Sequence, residues 1–343
     1  MIQSLAQEIL AKVQSARLVG IVFHRHPDAD SLGAGAAFAA LLDAYKIPYR
    51  YYCPTDFPET APIFGIDPSQ TFHTKEIAEA GLDLVCTFDA ADAKMAGLEF
   101  LEKGANNESI SNLRISNSEI RKFGFHSQLA PPFIVNFDHH ATNTQFGNIN
   151  VVDVGCASTT ELIYHFFSAL RFPISSRVAV FLLAGILHDT DYFLNPATSA
   201  SSLSMAGELL RRGISLSSLR ALLFERRGIG SLQLIGEVLG RLRKNARYGI
   251  AITYVKEDDL EKHNATADDI EGIANILNVV GDAKVMCVIK EEAGIIKGSF
   301  RTTREDIDVG RLAEFFGGGG HRKASGFRIR GALQIEGNNV RVI

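Results

Sequence analysis

Four short clusters of histidine and aspartate punctuate the first two hundred residues, each at the end of an apolar run. His24-Arg25-His26-Pro27-Asp28-Ala29-Asp30 follows "LVGIVF", and Asp89 follows "LDLVCTF". Asp138-His139-His140 follows "PFIVNF", and His188-Asp189-Thr190-Asp191 follows "VAVFLLAGIL". Hard divalent cations want carboxylate oxygens, and imidazole suits Mn, Fe, Co or Zn, so a mixed set favours Mn-type ions over Mg. Aspartate at the end of so apolar a helix as 178–187 is unfavourable unless paired or metal-bound. If the clusters converge, their carboxylates repel one another, and two divalent ions would neutralise them. A pair of ions roughly 3.5–4 Å apart, sharing a carboxylate and activating a water as hydroxide, is the usual device for hydrolysing phosphate esters. Structural metal sites lean on cysteine thiolates, but Cys53, Cys86, Cys156 and Cys287 show no Cys-x-x-Cys spacing and read as reduced thiols. A local alternative exists for the first cluster: Asp30, ahead of "SLGAG", could serve as a helix N-cap.

Positioning these groups requires a scaffold, and the intervening sequence describes one. Ile2, Leu5, Ile9, Leu10 and Val13 share a face of a helix over 2–16. Short, nearly continuous apolar runs at 18–24, 82–89 and 132–138 then alternate with helical stretches, "SLGAGAAFAALLDAY" and 92–103. That alternation predicts an α/β domain with a doubly wound, mainly parallel sheet. Ligands of such sheets bind outside the carboxyl ends of the strands, which would place His24, Asp89 and Asp138 on one edge. Residues 157–187 read as two helices broken at Phe172-Pro173, the first opened by a capping box of Ser158 and Glu161. The polar stretch 102–131 is an insertion, lid or surface elaboration.

The expected organisation is a catalytic domain over 1–200, a helical connector over 201–230 and a smaller α+β domain over 231–343. The last would contain strands at 248–255, 283–290 and 294–301, with a turn at Glu291–Ala293, then a helix "DVGRLAEFF" and a strand "SGFRIR". Between these lies "GGGGHRK". A helix stop needs one glycine, whereas four can aim consecutive N–H groups at an anion. Gly318, Gly319, Gly320 and His321, with Arg301 offering bidentate geometry, are therefore candidates for holding a phosphate.

Composition excludes some classes. The chain has 343 residues, 46% of them hydrophobic and 22% charged, with a net charge of −4. An acidic balance argues against a broad duplex-binding surface, while a small anionic ligand in a local pocket stays open. No apolar run reaches the length of a membrane span, and the amphipathic start lacks signal-peptide features. A cytoplasmic setting is expected.

"HRHPDADSLG", "FDAAD", "FDHHATN" and "HDTDYF", in that order, resemble the four motifs of the DHH phosphoesterase superfamily. "GSFR…DVGRLAEFFGGGGHRKASGF" resembles its Gly-Gly-Gly-His-bearing associated domain. Length and domain pairing are similar to the nanoRNase / 3′-phosphoadenosine 5′-phosphate phosphatase branch. The resemblance implies one Mn-type ion on His24, Asp28 and Asp89, and another on Asp30, Asp89, His139 and Asp189, with Asp89 bridging; Mg²⁺ or Co²⁺ are alternatives. His140 would face the scissile phosphate and Asp138 would orient its neighbours. The family commonly has glycine where this chain has Asp191, which with His188 becomes a possible outer group of the site. The implied activity is exonucleolytic hydrolysis of short oligonucleotides to mononucleotides in a cleft between the domains. Nucleotide 3′-phosphates are the second substrate, with cyclic-dinucleotide-derived dimers and polyphosphate further options. Single strands are expected rather than stable duplex, and a homodimer is possible. A pure nucleotide-binding module is disfavoured, since it needs no two-metal array.

Overall fold

A computed structural model describes residues 2–102, 131–194, 197–214, 219, 228–265, 277, 281–320, 322–336 and 339–343. Nearly all of the 102–131 stretch, much of the connector, and His321 lie outside the described residues. The chain divides into two compact units, Met1–Glu225 and Arg226–Ile343.

In the first unit the described elements are α1 (Ile2–Ser15), β1 (Val19–Phe23), α2 (Ala29–Ala44), β2 (Tyr49–Cys53), β3 (Thr71–His73), β4 (Leu84–Phe88), α3 (Glu99–Glu102), β5 (Phe133–Asp138), β6 (Ile149–Val152), α4 (Thr159–Leu170), α5 (Ser176–Asp189) and α6 (Ala200–Leu210). Six strands pair in parallel in the order β3-β2-β1-β4-β5-β6. Strand addition reverses between β1 and β4, the switch point at which doubly wound sheets open a crevice for ligands. The central strands β1 and β4 are buried at every position, and β5 at all but its first. Sequence periodicity misses β2, β3 and β6 because these outer strands are short or half-exposed.

Alternate strand residues feed two cores. On one face Ile21, Phe88 and Phe137 meet helices α1, α2, α4 and α5, with Phe38, Phe88, Phe137 and Phe166 in ring contact. On the other, Val22, Val85 and Ile134 are covered by Ile77, Leu82, Ala93 and Leu98. α2 is buried along most of its length, so its alanines and glycines let neighbours close in on several sides. Gly185 of α5 shows how tightly. A Cβ there would sit 2.4 Å from Thr160 Cγ2 and 2.7 Å from Asp30 Oδ1.

The helix expected over 92–103 forms only at Glu99–Glu102. Before it, Asp92 accepts the Met95 N–H through its side chain at 2.7 Å. Gly97 takes φ +67°, so residues 92–98 close as turns rather than propagating a helix.

The second unit contains α7 (Ile229–Gly240), β7 (Arg243–Asn245), β8 (Ile250–Val255), α8 (Glu257–His263), β9 (Val285–Glu292), β10 (Ile295–Arg301), α9 (Val309–Glu314), β11 (Gly319–Gly320), β12 (Ala324–Arg330), β13 (Leu333–Glu336) and β14 (Asn339–Val342). Its six-stranded sheet runs β11-β12-β10-β9-β8-β7, parallel only between β8 and β9. The β9–β10 turn lies at Ala293-Gly294, both at positive φ, as a tight hairpin requires. β9 therefore continues through Glu291 and Glu292, where a turn was expected.

The glycine run has its own structural reasons. Gly317 turns the chain after α9 at φ +74°. A Cβ on Gly318 would lie 2.1 Å from the Gly326 carbonyl oxygen, and one on Gly320 would lie 2.6 Å from Ser325 Cα, whereas Gly319 meets nothing within 4 Å. Gly318→Ala should therefore destabilise the protein by about 1–3 kcal/mol through overpacking, and Gly319→Ala by less than about 0.5 kcal/mol. Thermal denaturation of the two variants checks this; equal melting temperatures would refute the steric reading.

Candidate metal centre

β1, β4 and β5 are neighbours, so His24, Asp89 and Asp138 emerge together at the carboxyl edge of the sheet. The start of α2 adds Asp28 and Asp30, and the end of α5 adds His188 and Asp189. Asp28, not Asp30, is the N-cap: its Oδ1 accepts the N–H groups of Asp30 and Ser31 at 3.0 and 3.1 Å. Asp30 turns inward and is fully buried. Its carboxylate accepts the Thr159 N–H at 2.7 Å, the Thr160 N–H at 2.9 Å and the Thr160 hydroxyl at 2.8 Å. It thus rests on the amino end of α4, where exposed N–H groups and the helix dipole favour an anion.

Asp89 lies between the two histidine positions. Oδ2 is 3.4 Å from His24 Nε2 and Oδ1 is 3.5 Å from His139 Nε2. Oδ1 also accepts the Thr159 hydroxyl at 3.1 Å. Its backbone adopts φ +60°, a left-handed conformation uncommon outside glycine, asparagine and aspartate.

Backbone carbonyls set the histidine tautomers. His24 Nδ1 is 2.8 Å from the Arg25 carbonyl, and His139 Nδ1 is 3.4 Å from that of Cys156. A carbonyl only accepts, so each neutral ring donates from Nδ1 and turns the Nε2 lone pair toward the carboxylates. His139 Nε2 is buried without a hydrogen bond, although Asp189 Oδ2 lies 3.1 Å away. An orphaned imidazole nitrogen among carboxylates fits a metal ligand.

Among the described residues, donor atoms lie within 4.8 Å of one another in four groups: His24, Asp28 and Asp89; Asp30, His139 and Asp189; Asp89, His139 and His140; and Asp28, His188 and Asp189. The structure thus brings together every residue expected on the two ions, with His140, expected to face the phosphate, and His188, expected as an outer group, beside them. Asp191 joins none of these groups. It is exposed and begins a left-handed turn, with φ +50°, +59° and +66° at Asp191, Tyr192 and Phe193. Glycine would occupy that first position without strain.

Electrostatics follow from the crowding. Burial opposes charge on His24, but Asp28 and Asp89 overcome it and hold its pKa at about 11. Asp189, Asp30 and Asp89 do the same for His139, at about 10, and Asp189 and Asp28 for His188, at about 9. Burial, reinforced by neighbouring carboxylates, lifts Asp30 well above the usual range and raises Asp89. In the metal-free protein these histidine protons serve as counter-charge, and cations must displace them. Metal binding should therefore release protons between pH 6 and 9, with affinity rising about tenfold per pH unit for each proton displaced. Mn²⁺ titration in weak buffer with a pH indicator reads this; no proton release would refute it.

Asp138 is fully buried. Oδ1 accepts the His139 N–H at 2.9 Å and His140 Nδ1–H at 2.7 Å, while Oδ2 accepts the Asn143 amide at 2.5 Å. Burial pushes the Asp138 pKa up, but the bonds from His140 and Asn143 together outweigh it and lower it, and the bond to Asp138 raises the pKa of His140. His140 is left with Nε2 available on a ring 36% exposed.

Sequence reasoning read Ser158-Thr159-Thr160 only as a helix start. Ser158 does cap α4 through the Glu161 N–H, but the Glu161 carboxylate accepts the Ala157 N–H at 2.7 Å rather than closing the expected capping box, and Thr159 and Thr160 also bind the metal-centre aspartates. Asn143 stood inside "FDHHATN" without a role. In the second unit Arg301 ends β10, its Nη1 donating to the Phe300 carbonyl at 3.0 Å, and burial lowers its pKa.

Residues 247–338 match the DHHA1 domain family. With the Asp138-His139-His140 triplet seated among the metal-type groups, this makes the chain similar to the DHH superfamily of phosphoester hydrolases. Its likeness to individual members is to NrnA proteins. It is 26% identical over 316 residues to the bifunctional oligoribonuclease and PAP phosphatase NrnA of Bacillus subtilis, spanning 90% of this chain and 89% of that one. With the NrnA of Thermus thermophilus it shares 31% identity over 199 residues, 58% of this chain and 59% of that protein. An exopolyphosphatase-related protein from Bacteroides fragilis shares the fold, with a TM-score of 0.79 at 22% identity, covering 96% and 92% of the two chains. Among the described residues no helix is long and apolar enough to cross a membrane.

Proposed function

We propose that the protein hydrolyses short single-stranded oligonucleotides exonucleolytically to mononucleotides, using two divalent cations, Mn²⁺ foremost. His24, Asp28 and Asp89 would hold one, and Asp30, Asp89, His139 and Asp189 the other. The observation that carries this reading is the Asp89 carboxylate, which presents one oxygen toward His24 and the other toward His139. Such ions supply Lewis acidity, neutralise the carboxylates and lower the pKa of water near the phosphate. The protein's own groups do the rest. Asp138 holds His140 by Nδ1, so that Nε2 can donate to a phosphate oxygen or to the leaving oxygen. Thr159 and Thr160 keep Asp89 and Asp30 in place. Arg301, the N–H groups of Gly319 and Gly320, and His321 bind a phosphate that is not cleaved; Gly318, also expected to do so, instead gives its N–H to the Ala313 carbonyl at 2.9 Å.

A second activity on the same site, removal of a nucleotide 3′-phosphate, is supported by the bifunctional relatives. The free, buried cysteines accord with a reducing cytoplasmic setting, and the net charge of −4 accords with a preference for short single strands over duplex. A homodimer belongs to the same proposal. The test is product analysis with Mn²⁺ on 5′-labelled di- to decanucleotides, 3′-phosphoadenosine 5′-phosphate and polyphosphate. Mononucleotides from the shortest oligomers are expected; turnover of polyphosphate alone, or of nothing, would overturn the proposal.

A further inference from the structure

Among the described large apolar side chains Phe315 is the most exposed, at 84%. It caps α9 and stands two residues before Gly317. Despite its exposure the ring has a support. It meets Phe316 edge-on, 5.4 Å between centroids at 85°. Phe316 stacks on Phe327 at 4.7 Å and 25°, and Phe300 lies 5.2 Å from Phe327 and 6.2 Å from Phe316. Four rings therefore run from the core of the second unit to its surface, and the outermost is open to solvent.

Chain continuity gives that surface its meaning. Phe300 is followed directly by Arg301, and Phe316 directly by the glycine run. The ladder thus adjoins in sequence, on both β10 and α9, the groups proposed to bind a phosphate. Proteins that hold single strands without sequence preference pair cationic phosphate contacts with aromatic faces on which bases stack. Polyphosphate has no base, so an aromatic platform would give it nothing.

We infer that Phe315, supported by Phe316, Phe327 and Phe300, is a stacking site for a nucleobase of the substrate, so that the protein selects base-bearing phosphoesters. The inference rests on the proposed role of Arg301, Gly319 and Gly320 in binding that substrate's phosphate.

The test compares full-length wild type, Phe315→Ala and Phe315→Tyr on a dinucleotide and on its counterpart lacking one base. Base stacking predicts a KM about 5- to 150-fold higher for Phe315→Ala on the intact dinucleotide, with kcat unchanged and the wild-type advantage over the abasic counterpart lost. Phe315→Tyr should restore that advantage. Binding of a 2-aminopurine dinucleotide should quench its fluorescence in the wild type and in Phe315→Tyr but not in Phe315→Ala. An equal rise in KM for both substrates, or quenching that survives Phe315→Ala, would overturn stacking. If the wild type cleaves neither dinucleotide, the hydrolase reading fails, and the fluorescence comparison still decides the inference.

Discussion

Replacing Asp89 by asparagine should lower hydrolysis by about 10³-fold or more, beyond the 10–100-fold typical of groups that merely support a metal ligand. It should also leave the protein short of its full complement of bound metal. Asparagine is nearly isosteric and tolerates the left-handed backbone that Asp89 adopts at φ +60°, so the fold should survive. What disappears is a charge with two accepting oxygens. One face of the side chain becomes an NH₂ group, directed either at His24 Nε2, now 3.4 Å from Oδ2, or at His139 Nε2, now 3.5 Å from Oδ1. In either orientation one of the two donor groups loses its shared oxygen. Metal content after gel filtration, read beside the rate on a dinucleotide and the metal-free melting temperature, checks this. Near-wild-type activity would remove Asp89 from the bridging position.

Asp138→Asn should lower kcat by about 10²-fold while disturbing metal content less than Asp89→Asn. The buried carboxylate accepts on both sides: His139 N–H and His140 Nδ1–H at Oδ1, Asn143 at Oδ2. Asparagine has one accepting oxygen, so its NH₂ must face a donor whichever way it turns. Relief of that clash releases His140 from its tautomer and orientation. If Asp138 acts through His140, the double variant Asp138→Asn/His140→Ala should be little worse than His140→Ala alone. Fully additive losses would assign Asp138 a separate role.

The architecture of the centre was legible in outline because central strands of a parallel sheet are buried on both faces and read as unbroken apolar runs. A polar residue ending such a run marks the strand's carboxyl edge, which is why His24, Asp89 and Asp138 could be placed from composition alone. The outer strands β2, β3 and β6 lack that signature. The 92–103 segment scored as helical on its alanines and leucines, but Asp92 and Gly97 redirected its backbone locally.

The amino-acid sequence by itself determined the inventory of ligand-type groups, the edge on which three of them stand, and the divalent-metal chemistry that their mixture favours. Tertiary structure alone decided how they are shared. It made Asp28 the helix cap and sent Asp30 inward to Thr159 and Thr160, well over one hundred residues away in the chain. It split the oxygens of Asp89 between two histidines, and it turned Asp191 out of the donor groups. It also gave three of the four glycines after α9 a conformational or steric cause. The physical reason is range. A strand end or helix cap is encoded by neighbours in the chain, whereas which donor satisfies which carboxylate is settled only when β1, β4, β5, α2, α4 and α5 pack against one another.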